Sequence, residues 1–557
     1  MARLGAHNLV RNELLVQDLA APVPHPSDLP QNIFAAVDAS TTSVRAQLID
    51  AGGTRLGAGK VALTYQRVGR DGYEQDAQAW YRALCGALRA AMAELPHERQ
   101  KDVCALCIAH QRESIVLTDA AGDPLHPALL WMDSRCRPDV AEAERNIGGV
   151  RLHALSGKPA CTTPSMYKLM YLFRSHPELR DVAFVHDVHS FLCRRLTGRS
   201  LSSFASADPT GLVDMRKKSW AQSLIHSLGI EPHQLPELVD CGYPIGALTE
   251  DALSDTGLPA HVVMYAGAGD GQLSGLGAGV IRKGKAYLEL GAAIYCGTLT
   301  DHYEIDAAFR TLYAATSGHY CLETTLRGGM LTLWWLVEGL FGCEDRDEAM
   351  ATLELQAAQV GASAEGLVTI PYWAGVTNPY WDDGARGTFF GLHQSHQPAH
   401  LYRSILEGIA MESRLHLEGV RQVARKSHDE IVMLGGGSRS DLWCQIFADV
   451  LCRPVYRCET ADTAALGAAV HASVSHGVYP SFERATQQMT RMSRRFEPGP
   501  NSELYEELYR DVYRGMFFDL QDRSQALSRI REATSTGPIA SFRPPQTLAP
   551  PADDSNK

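Results

Sequence analysis

The sequence has no run of about 18 apolar residues, the length that a helix needs to cross a bilayer. Its first residues carry no uninterrupted apolar signal core, since Glu13 and Asp18 interrupt it. Positive charge is not in excess, because 52 Lys and Arg stand against 64 Asp and Glu, for a net charge of -12. We therefore expect a cytoplasmic protein that binds neither a membrane nor nucleic acid.

A second CxxC pair and a nearby HxxxH motif are also missing, although the chain has 13 cysteines. The one CxxC pair, Cys104 and Cys107, lies in the run DVCALCIAH, whose pattern predicts a strand. Side chains three positions apart on a regular strand point to opposite faces, which argues against a shared metal or a disulfide. We expect buried free thiols.

The sequence also has no complete P-loop. The segment GAGK at 57–60 resembles one, but Thr54 stands where the first glycine is needed and Val61 follows the lysine. This segment reads as a turn. If the protein binds a nucleotide, it does so by another device.

What the sequence does contain is an ordinary globular composition over 557 residues, long enough for two domains of about 200 to 250 residues. Short β-rich runs alternate with amphipathic helical stretches, which indicates the α/β class. We predict a poorly ordered extension over 1–31, domains over 32–280 and 281–520, and a Pro-rich tail over 521–557. The segment 502–520 is predicted to be a helix that packs back near the hinge between the domains.

Two similar hairpins suggest a duplicated architecture with a cleft between its halves. The segment starting NIFAAVDASTTSVRAQLID predicts a three-stranded meander, and GKAYLELGAAIYCGTLTD (284–301) predicts a second hairpin. Tight turns of small residues can cradle a phosphate with backbone N–H groups. The first turn offers hydroxyls and a guanidinium for phosphate oxygens and a carboxylate for Mg²⁺: Thr41, Thr42, Ser43, Arg45 and Asp38. An ordinary hairpin turn is the alternative.

Asp270 ends an apolar strand in MYAGAGDGQLSGLGAGV and opens a glycine-rich helix. A carboxylate there can accept a hydroxyl proton beside a metal-bound phosphate, although a helix N-cap is the alternative. After another strand, Arg112 and Glu113 suit vicinal hydroxyls, or else a surface salt bridge. Trp131 offers an apolar face or is simply part of the core.

These segments, in this order, resemble the FGGY carbohydrate kinase family over about residues 33–515. The match is clearest in TPSMYKLMYLF (163–173), in IPYWAGVTNPYWDDGARG from residue 370, and in LGGGSRSDLWCQIFADVLCRPV followed by ADTAALGAAV. The resemblance implies two ribonuclease H-like domains of the actin and hexokinase type, with ATP bound in the cleft between them. It also implies transfer of the γ-phosphate of ATP to a sugar hydroxyl, with Mg²⁺ as the metal.

The resemblance also implies roles for individual residues. Asp270 matches the catalytic base and Asp38 a metal-linked carboxylate, with Asp270 close to the same metal. Arg112, Glu113 and Trp131 match the acceptor positions of the glycerol kinase branch. The positions matching nucleotide contacts are Thr41, Thr42, Ser43 and Arg45 in the first turn, Gly291 and Ala292 in the second, and Gly329, Gly436, Gly437 and Ser440. Related kinases are often homodimers, so a dimer is possible by analogy.

Several positions depart from the family pattern. Ser40 replaces a usual glycine, Ala292 and Ala293 replace hydroxylated residues, and Gly271 replaces the glutamine of glycerol kinases. Each missing charge-assisted hydrogen bond could weaken nucleotide binding by about 1.5 to 3 kcal/mol. The glycine-rich stretch after Asp270 looks closer to xylulokinases, so a ketopentose such as xylulose is the first expectation and glycerol or another polyol the second. A non-catalytic sensor and a chaperone-like or cytoskeletal ATPase are the alternatives from other classes.

Overall fold

The computed structural model describes residues 31–181, 183–425 and 428–534. The predicted extension (apart from residue 31) and residues 535–557 of the predicted tail lie outside the described residues. The strands of the first lobe (residues 33–277) are Ile33–Ala39 (β1), Ser43–Asp50 (β2), Arg55–Ala62 (β3), Gln66–Val68 (β4), Gly72–Gln75 (β5), Val103–His110 (β6), Ile115–Thr118 (β7), Ala128–Leu129 (β8), Phe184–Asp187 (β9), Leu201–Ser203 (β10), Val213–Asp214 (β11), Ser219–Trp220 (β12), Glu237–Val239 (β13), Pro244–Ala247 (β14) and Val263–Gly269 (β15).

The helices of the first lobe are Ala77–Glu94 (α1), His97–Gln100 (α2), Arg137–Asn146 (α3), Gly149–Ser156 (α4), Ser165–Ser175 (α5), Val188–Thr197 (α6), Phe204–Ala207 (α7), Gln222–Ser227 (α8), Glu250–Thr256 (α9) and Asp270–Gly277 (α10). The strands of the second lobe (residues 285–534) are Lys285–Leu290 (β16), Ile294–Thr300 (β17), Arg310–Tyr313 (β18), Tyr320–Leu326 (β19), Val368–Ile370 (β20), Thr388–Phe390 (β21), Glu430–Leu434 (β22), Val455–Cys458 (β23) and Met492–Phe496 (β24). Its helices are Met330–Trp334 (α11), Arg346–Ala357 (α12), Pro398–Ala424 (α13), Asp441–Leu451 (α14), Thr463–Ser475 (α15), Phe482–Met489 (α16), Ser502–Asp511 (α17) and Met516–Thr534 (α18).

Each lobe is built around one mixed sheet, and the two sheets share a central pattern. The first has the order β14-β15-β6-β1-β2-β3, with β1, β2 and β3 antiparallel and β1, β6 and β15 parallel. The second has the order β18-β19-β17-β16-β22-β23-β24, with β16, β17 and β19 antiparallel and β16, β22 and β23 parallel. Both predicted hairpins are confirmed, and so is the duplicated ribonuclease H-like architecture.

Each lobe has its own hydrophobic core. In the first, apolar side chains of the sheet pack against helix α1, whose Trp80 and Leu84 are buried. In the second, they pack against the long helix α13 and helix α14. The segment predicted as one helix over 502–520 is two helices, α17 and α18, and its buried tyrosines join the second core. Helix α18 continues to Thr534, so residues 521–534 are helical rather than part of an irregular tail.

Helix α15 belongs to the second lobe in sequence but packs on the sheet of the first. Its alanines share a hydrophobic cluster with small residues of strands β1 and β6 and with Leu273 of helix α10. Small side chains let the helix approach the sheet closely. The segment ADTAALGAAV therefore forms an interlobe contact, and it packs against helix α10.

The CxxC pair lies in strand β6, as predicted, and all 13 cysteines are free thiols. The argument that the two side chains face opposite sides is wrong, because both lie in the same hydrophobic cluster. A bulge causes this: Ile33 pairs with Val103 and Phe34 with Ala105, so Cys104 is the extra residue and shifts the alternation.

Candidate active site

Asp270 is the first residue of helix α10, at the end of strand β15. Gly269 is the N-cap residue, so the carboxylate of Asp270 does not cap the helix. Its Oδ1 atom accepts a hydrogen bond from the backbone N–H of Gly271 at 2.8 Å and lies 3.0 Å from Nε of Arg112. The side chain is 39% exposed. Asp270 is thus held in place and still open to a reactant.

Arg112 and Glu113 follow strand β6 and meet two residues of the second lobe. Nη1 of Arg112 lies 2.9 and 3.1 Å from the two carboxylate oxygens of Glu323 on strand β19. Arg310 on strand β18 donates from Nε to Glu323 at 2.8 Å and from Nη1 to Glu113 at 2.6 Å. We call Asp270, Arg112, Glu323, Arg310 and Glu113 the interlobe ion network.

The charges in this network stabilise one another. Burial opposes the charge of Arg112, but Glu323 and Asp270 outweigh it and hold the pKa of Arg112 well above its ordinary value. Burial likewise opposes the charge of Glu323, and the guanidiniums of Arg112 and Arg310 outweigh it, so the pKa of Glu323 is lowered. The surface salt bridge considered from the sequence is therefore a buried one that joins the lobes.

Two further carboxylates face Asp270. Oδ1 of Asp38, near the end of strand β1, is buried without a hydrogen-bond partner among the described residues. Burial and the charge of Asp270 raise the pKa of Asp38 to about 7, against the opposing effect of Arg45. Burial, Asp270 and Asp38 raise the pKa of Glu289, on strand β16, to about 8. A cation between the lobes would relieve this repulsion.

The described part of the chain contains no group of three or more His, Cys, Asp or Glu residues close enough to hold a metal ion. A cation here would therefore take few ligands from the protein. Mg²⁺ binds in this way in phosphoryl-transfer sites, through one or two carboxylates together with substrate phosphates. The unpartnered oxygen of Asp38 fits such a site.

The first predicted phosphate turn joins strands β1 and β2. It is closed by the backbone N–H of Ser40, which donates to the carbonyl of Ser43 at 3.0 Å. The hydroxyl of Thr41 is engaged inside the lobe: it donates to Gln111 at 2.9 Å and accepts from the indole of Trp131 at 3.1 Å. The side chain of Ser43 is buried, whereas Thr42 is exposed. Thr42 is thus the more accessible hydroxyl.

Arg45 pairs with a residue of the second lobe. Its Nη1 lies 3.0 Å from Oδ1 of Asp462, which precedes helix α15, and Gln47 donates to the other oxygen at 2.9 Å. Both charged side chains are partly exposed, at 41% and 31%. The guanidinium predicted for phosphate therefore also links the lobes.

The second predicted turn, Gly291–Ala293, joins strands β16 and β17. The carbonyls of Gly291 and Ala292 accept from the backbone N–H groups of Met330 at 3.0 Å and Leu331 at 3.3 Å. A Cβ atom on Gly329 would lie 2.7 and 2.9 Å from these two carbonyl oxygens. Glycine is required there because the start of helix α11 rests against the turn.

The third glycine-rich segment follows strand β22 and leads into helix α14. A Cβ on Gly436 would meet nothing within 4 Å, whereas one on Gly437 would lie 2.6 Å from Trp443. Ser440 is the N-cap of the helix: its hydroxyl accepts from the backbone N–H of Trp443 at 2.8 Å and donates to Glu354. Gly436 therefore presents open backbone, and Ser440 has a structural role of its own.

Sequence reasoning missed Glu289, Glu323, Arg310 and Asp462. The signal available for the first two was a single glutamate inside an apolar strand, in AYLEL and YCLETTL. An acidic residue in such a place needs a partner or a function.

The fold and this site define a class: a two-lobed ATPase of the actin and hexokinase type, with carboxylates and a buried ion network where the lobes meet. The N-terminal domain model of the FGGY family of carbohydrate kinases matches residues 33–277, and its C-terminal domain model matches residues 291–476. The chain belongs to the FGGY family of carbohydrate kinases. It is an ATP-dependent carbohydrate kinase, a phosphotransferase that acts on an alcohol group.

Similar proteins carry more than one name. Xylulose kinase of Bacillus subtilis (strain 168) is 25% identical over 504 residues, 89% of this chain and 99% of that protein. Glycerol kinase of Dechloromonas aromatica (strain RCB) is 30% identical over 487 residues, 85% and 94% of the two chains. The crystal structure of xylulose kinase from Rhodospirillum rubrum has a TM-score of 0.82 at 27% identity, covering 88% of this chain and 100% of that one.

Family membership sets aside the sensor and the chaperone-like or cytoskeletal ATPase considered from the sequence. No helix among residues 31–181, 183–425 and 428–534 has both the length and the apolarity of a membrane span. The individual site residues remain predictions.

Proposed function

We propose that the enzyme transfers the γ-phosphate of ATP to a hydroxyl of a small sugar, with Asp270 as the general base. The observation that carries this proposal is the position of Asp270, which is partly exposed, forms an ion pair with Arg112 at 3.0 Å and interacts electrostatically with the carboxylates of Asp38 and Glu289. The carboxylate accepts the proton of the acceptor hydroxyl. As it does so, the hydroxyl oxygen bonds to the γ-phosphorus, the bond from that phosphorus to ADP breaks, and ADP leaves.

Asp38 and Asp270 would hold Mg²⁺, which would neutralise charge on the nucleotide phosphates. The nucleotide would lie against Thr42, Arg45 and the glycine turns of the second lobe. Helix α10 and the ion network keep Asp270 between these turns and the acceptor. Water is excluded when the lobes close, which favours the sugar over hydrolysis.

The acceptor that we favour is a ketopentose such as xylulose, with glycerol or another polyol second. Arg112 and Glu113 provide a donor and an acceptor for vicinal hydroxyls. The similarity to xylulose kinases supports the first choice and the similarity to glycerol kinases the second. ADP release measured with xylulose, other pentuloses, glycerol, other polyols and gluconate separates them. Turnover confined to polyols or gluconate would reject the ketopentose.

Asp270→Asn tests the base, because the amide has the same shape and cannot accept the proton. We expect kcat to fall at least about 100-fold, while ATP still raises the melting temperature. Asp139→Asn is the matched control, since Asp139 lies in the first turn of helix α3 and pairs with Arg174 of helix α5, which is not a member of the interlobe ion network. A substitution at Asp270 that keeps near-normal turnover would refute the assignment.

A further inference from the structure

The acceptor-side residues of the first lobe are held by the second lobe. Glu323 is 0% exposed and contacts the guanidiniums of both Arg112 and Arg310. Arg310 in turn holds Glu113. The two first-lobe residues predicted to bind the acceptor are thus each held by a residue of the second lobe.

Glu323 is the centre of this arrangement. Arg112 and Arg310 are both buried and carry like charges, which repel at short range unless a carboxylate lies between them. Removing one member of a buried ion pair leaves an uncompensated charge, which reorients or draws in water. Without Glu323, Arg112 would lose the contact of its Nη1 with both carboxylate oxygens, which now helps to set how its Nε meets Asp270.

Gly271, which follows Asp270, has no side chain, and the carboxylate of Glu323 lies in the space that a side chain there would need. A Cβ atom on Gly271 would lie 2.9 Å from Oε2 of Glu323 and 3.0 Å from Nη2 of Arg112. A side chain at position 271 would therefore press on the pair formed by Glu323 and Arg112. The carboxylate of Glu323, from the second lobe, thus occupies the space next to Gly271.

We propose that Glu323 and Arg310 are positioning residues for the acceptor, which act through Arg112 and Glu113 respectively. The inference rests on the proposed function, in which these two first-lobe residues bind the sugar. The acceptor pocket is then complete only when the second lobe contributes its carboxylate and its guanidinium.

Glu323→Gln keeps the shape of the side chain and removes its charge. With D-xylulose and glycerol as the acceptors measured, we expect the KM for the acceptor to rise at least tenfold and kcat to fall. The KM for ATP should stay within twofold. Arg310→Met should raise the acceptor KM, and Arg310→Lys, which keeps the positive charge, should raise it less. Glu407→Gln is the control, because Glu407 forms a buried pair with Arg403 within helix α13 and a hydrogen bond with Tyr505, neither of which belongs to the interlobe ion network; it should lower stability and leave both KM values unchanged.

The contact at Gly271 gives a second test that does not depend on how Glu323→Gln folds. Gly271→Ala should raise the acceptor KM, and adding Glu323→Asp, which shortens the opposing side chain, should recover part of the loss. Gly361→Ala is the control, since the nearest atom to its added Cβ is 4.0 Å away.

The outcomes distinguish the two proposals. A parent enzyme that phosphorylates no acceptor of the panel that tests the proposed function overturns that function and this inference with it; if another acceptor of the panel is the one turned over, the acceptor KM is measured with that acceptor. If the parent is active, unchanged acceptor KM in Glu323→Gln and Gly271→Ala, or equal changes in both KM values, overturns the inference alone.

Discussion

Helix α15 of the second lobe crosses helix α10 of the first so closely that Gly467 has no room for a side chain. A Cβ there would overlap the backbone carbonyl of Leu273 and lie 3.0 Å from the backbone nitrogen of Gly277. In an open helix, Gly→Ala would stabilise by about 1 kcal/mol. Here the opposing atoms are backbone, so the helices must separate, and overpacking of this kind costs about 3 kcal/mol. We expect a net loss of about 2 kcal/mol in Gly467→Ala.

That loss corresponds to a fall in melting temperature of about 2 to 4 °C by calorimetry. Because helix α10 begins with Asp270, a shift of about 1 Å should also lower kcat by about 100-fold. Gly86→Ala in helix α1 is the control, since its Cβ would meet a side-chain methyl of Val61 at 3.2 Å, and we expect little change. A Gly467→Ala enzyme as stable and as active as the parent would refute the close crossing.

Three further results are expected. Glu289→Gln should raise the melting temperature of the ligand-free enzyme at pH 8.5 more than at pH 5. The pKa of Glu289 is raised from its ordinary value of 4.5 to about 8 in the fold, so the wild-type side chain costs stability progressively as pH rises from about 4.5 to about 8, and the full cost is present above that range; an equal gain at both pH values would contradict this. Ser440→Ala should cost about 1 kcal/mol of stability through the lost cap and should raise the KM for ATP but not for the acceptor. Trp131→Phe should lose the hydrogen bond to Thr41, about 1 kcal/mol, with a higher acceptor KM; an unchanged acceptor KM would place Trp131 in the core alone.

The hairpins were predictable because each rests on a local pattern. Alternating apolar residues and a small-residue turn specify strands β1 to β3 within 30 residues. The second-lobe half of the ion network was not predictable in this way. Arg112 and Glu323 are 211 positions apart, and nothing local pairs a glutamate in one strand with an arginine after another. The resemblance supplied the first-lobe residues, and the structure supplied their partners.

In the second turn, the structure explains how the chain tolerates a departure from the family pattern. Ala292 and Ala293 lack hydroxyls, which from sequence alone suggests weaker phosphate binding. In the structure the carbonyls of Gly291 and Ala292 accept backbone hydrogen bonds from the start of helix α11. The shape of the turn is therefore set by backbone contacts that do not need the hydroxyls, and in the proposed function its backbone N–H groups would bind the phosphate.

Two interlobe contacts place Asp270 from opposite directions. Helix α15 packs closely against helix α10, which begins with Asp270. Glu323 contacts Arg112, whose Nε lies beside the carboxylate of Asp270. Because both contacts come from the second lobe, a rotation of that lobe would change the setting of the proposed base and of the proposed acceptor groups together. In the proposed mechanism, a lobe position that loosens either contact would leave ATP without an aligned base. Closure and alignment would then be one event, and this coupling would disfavour hydrolysis when no sugar is bound.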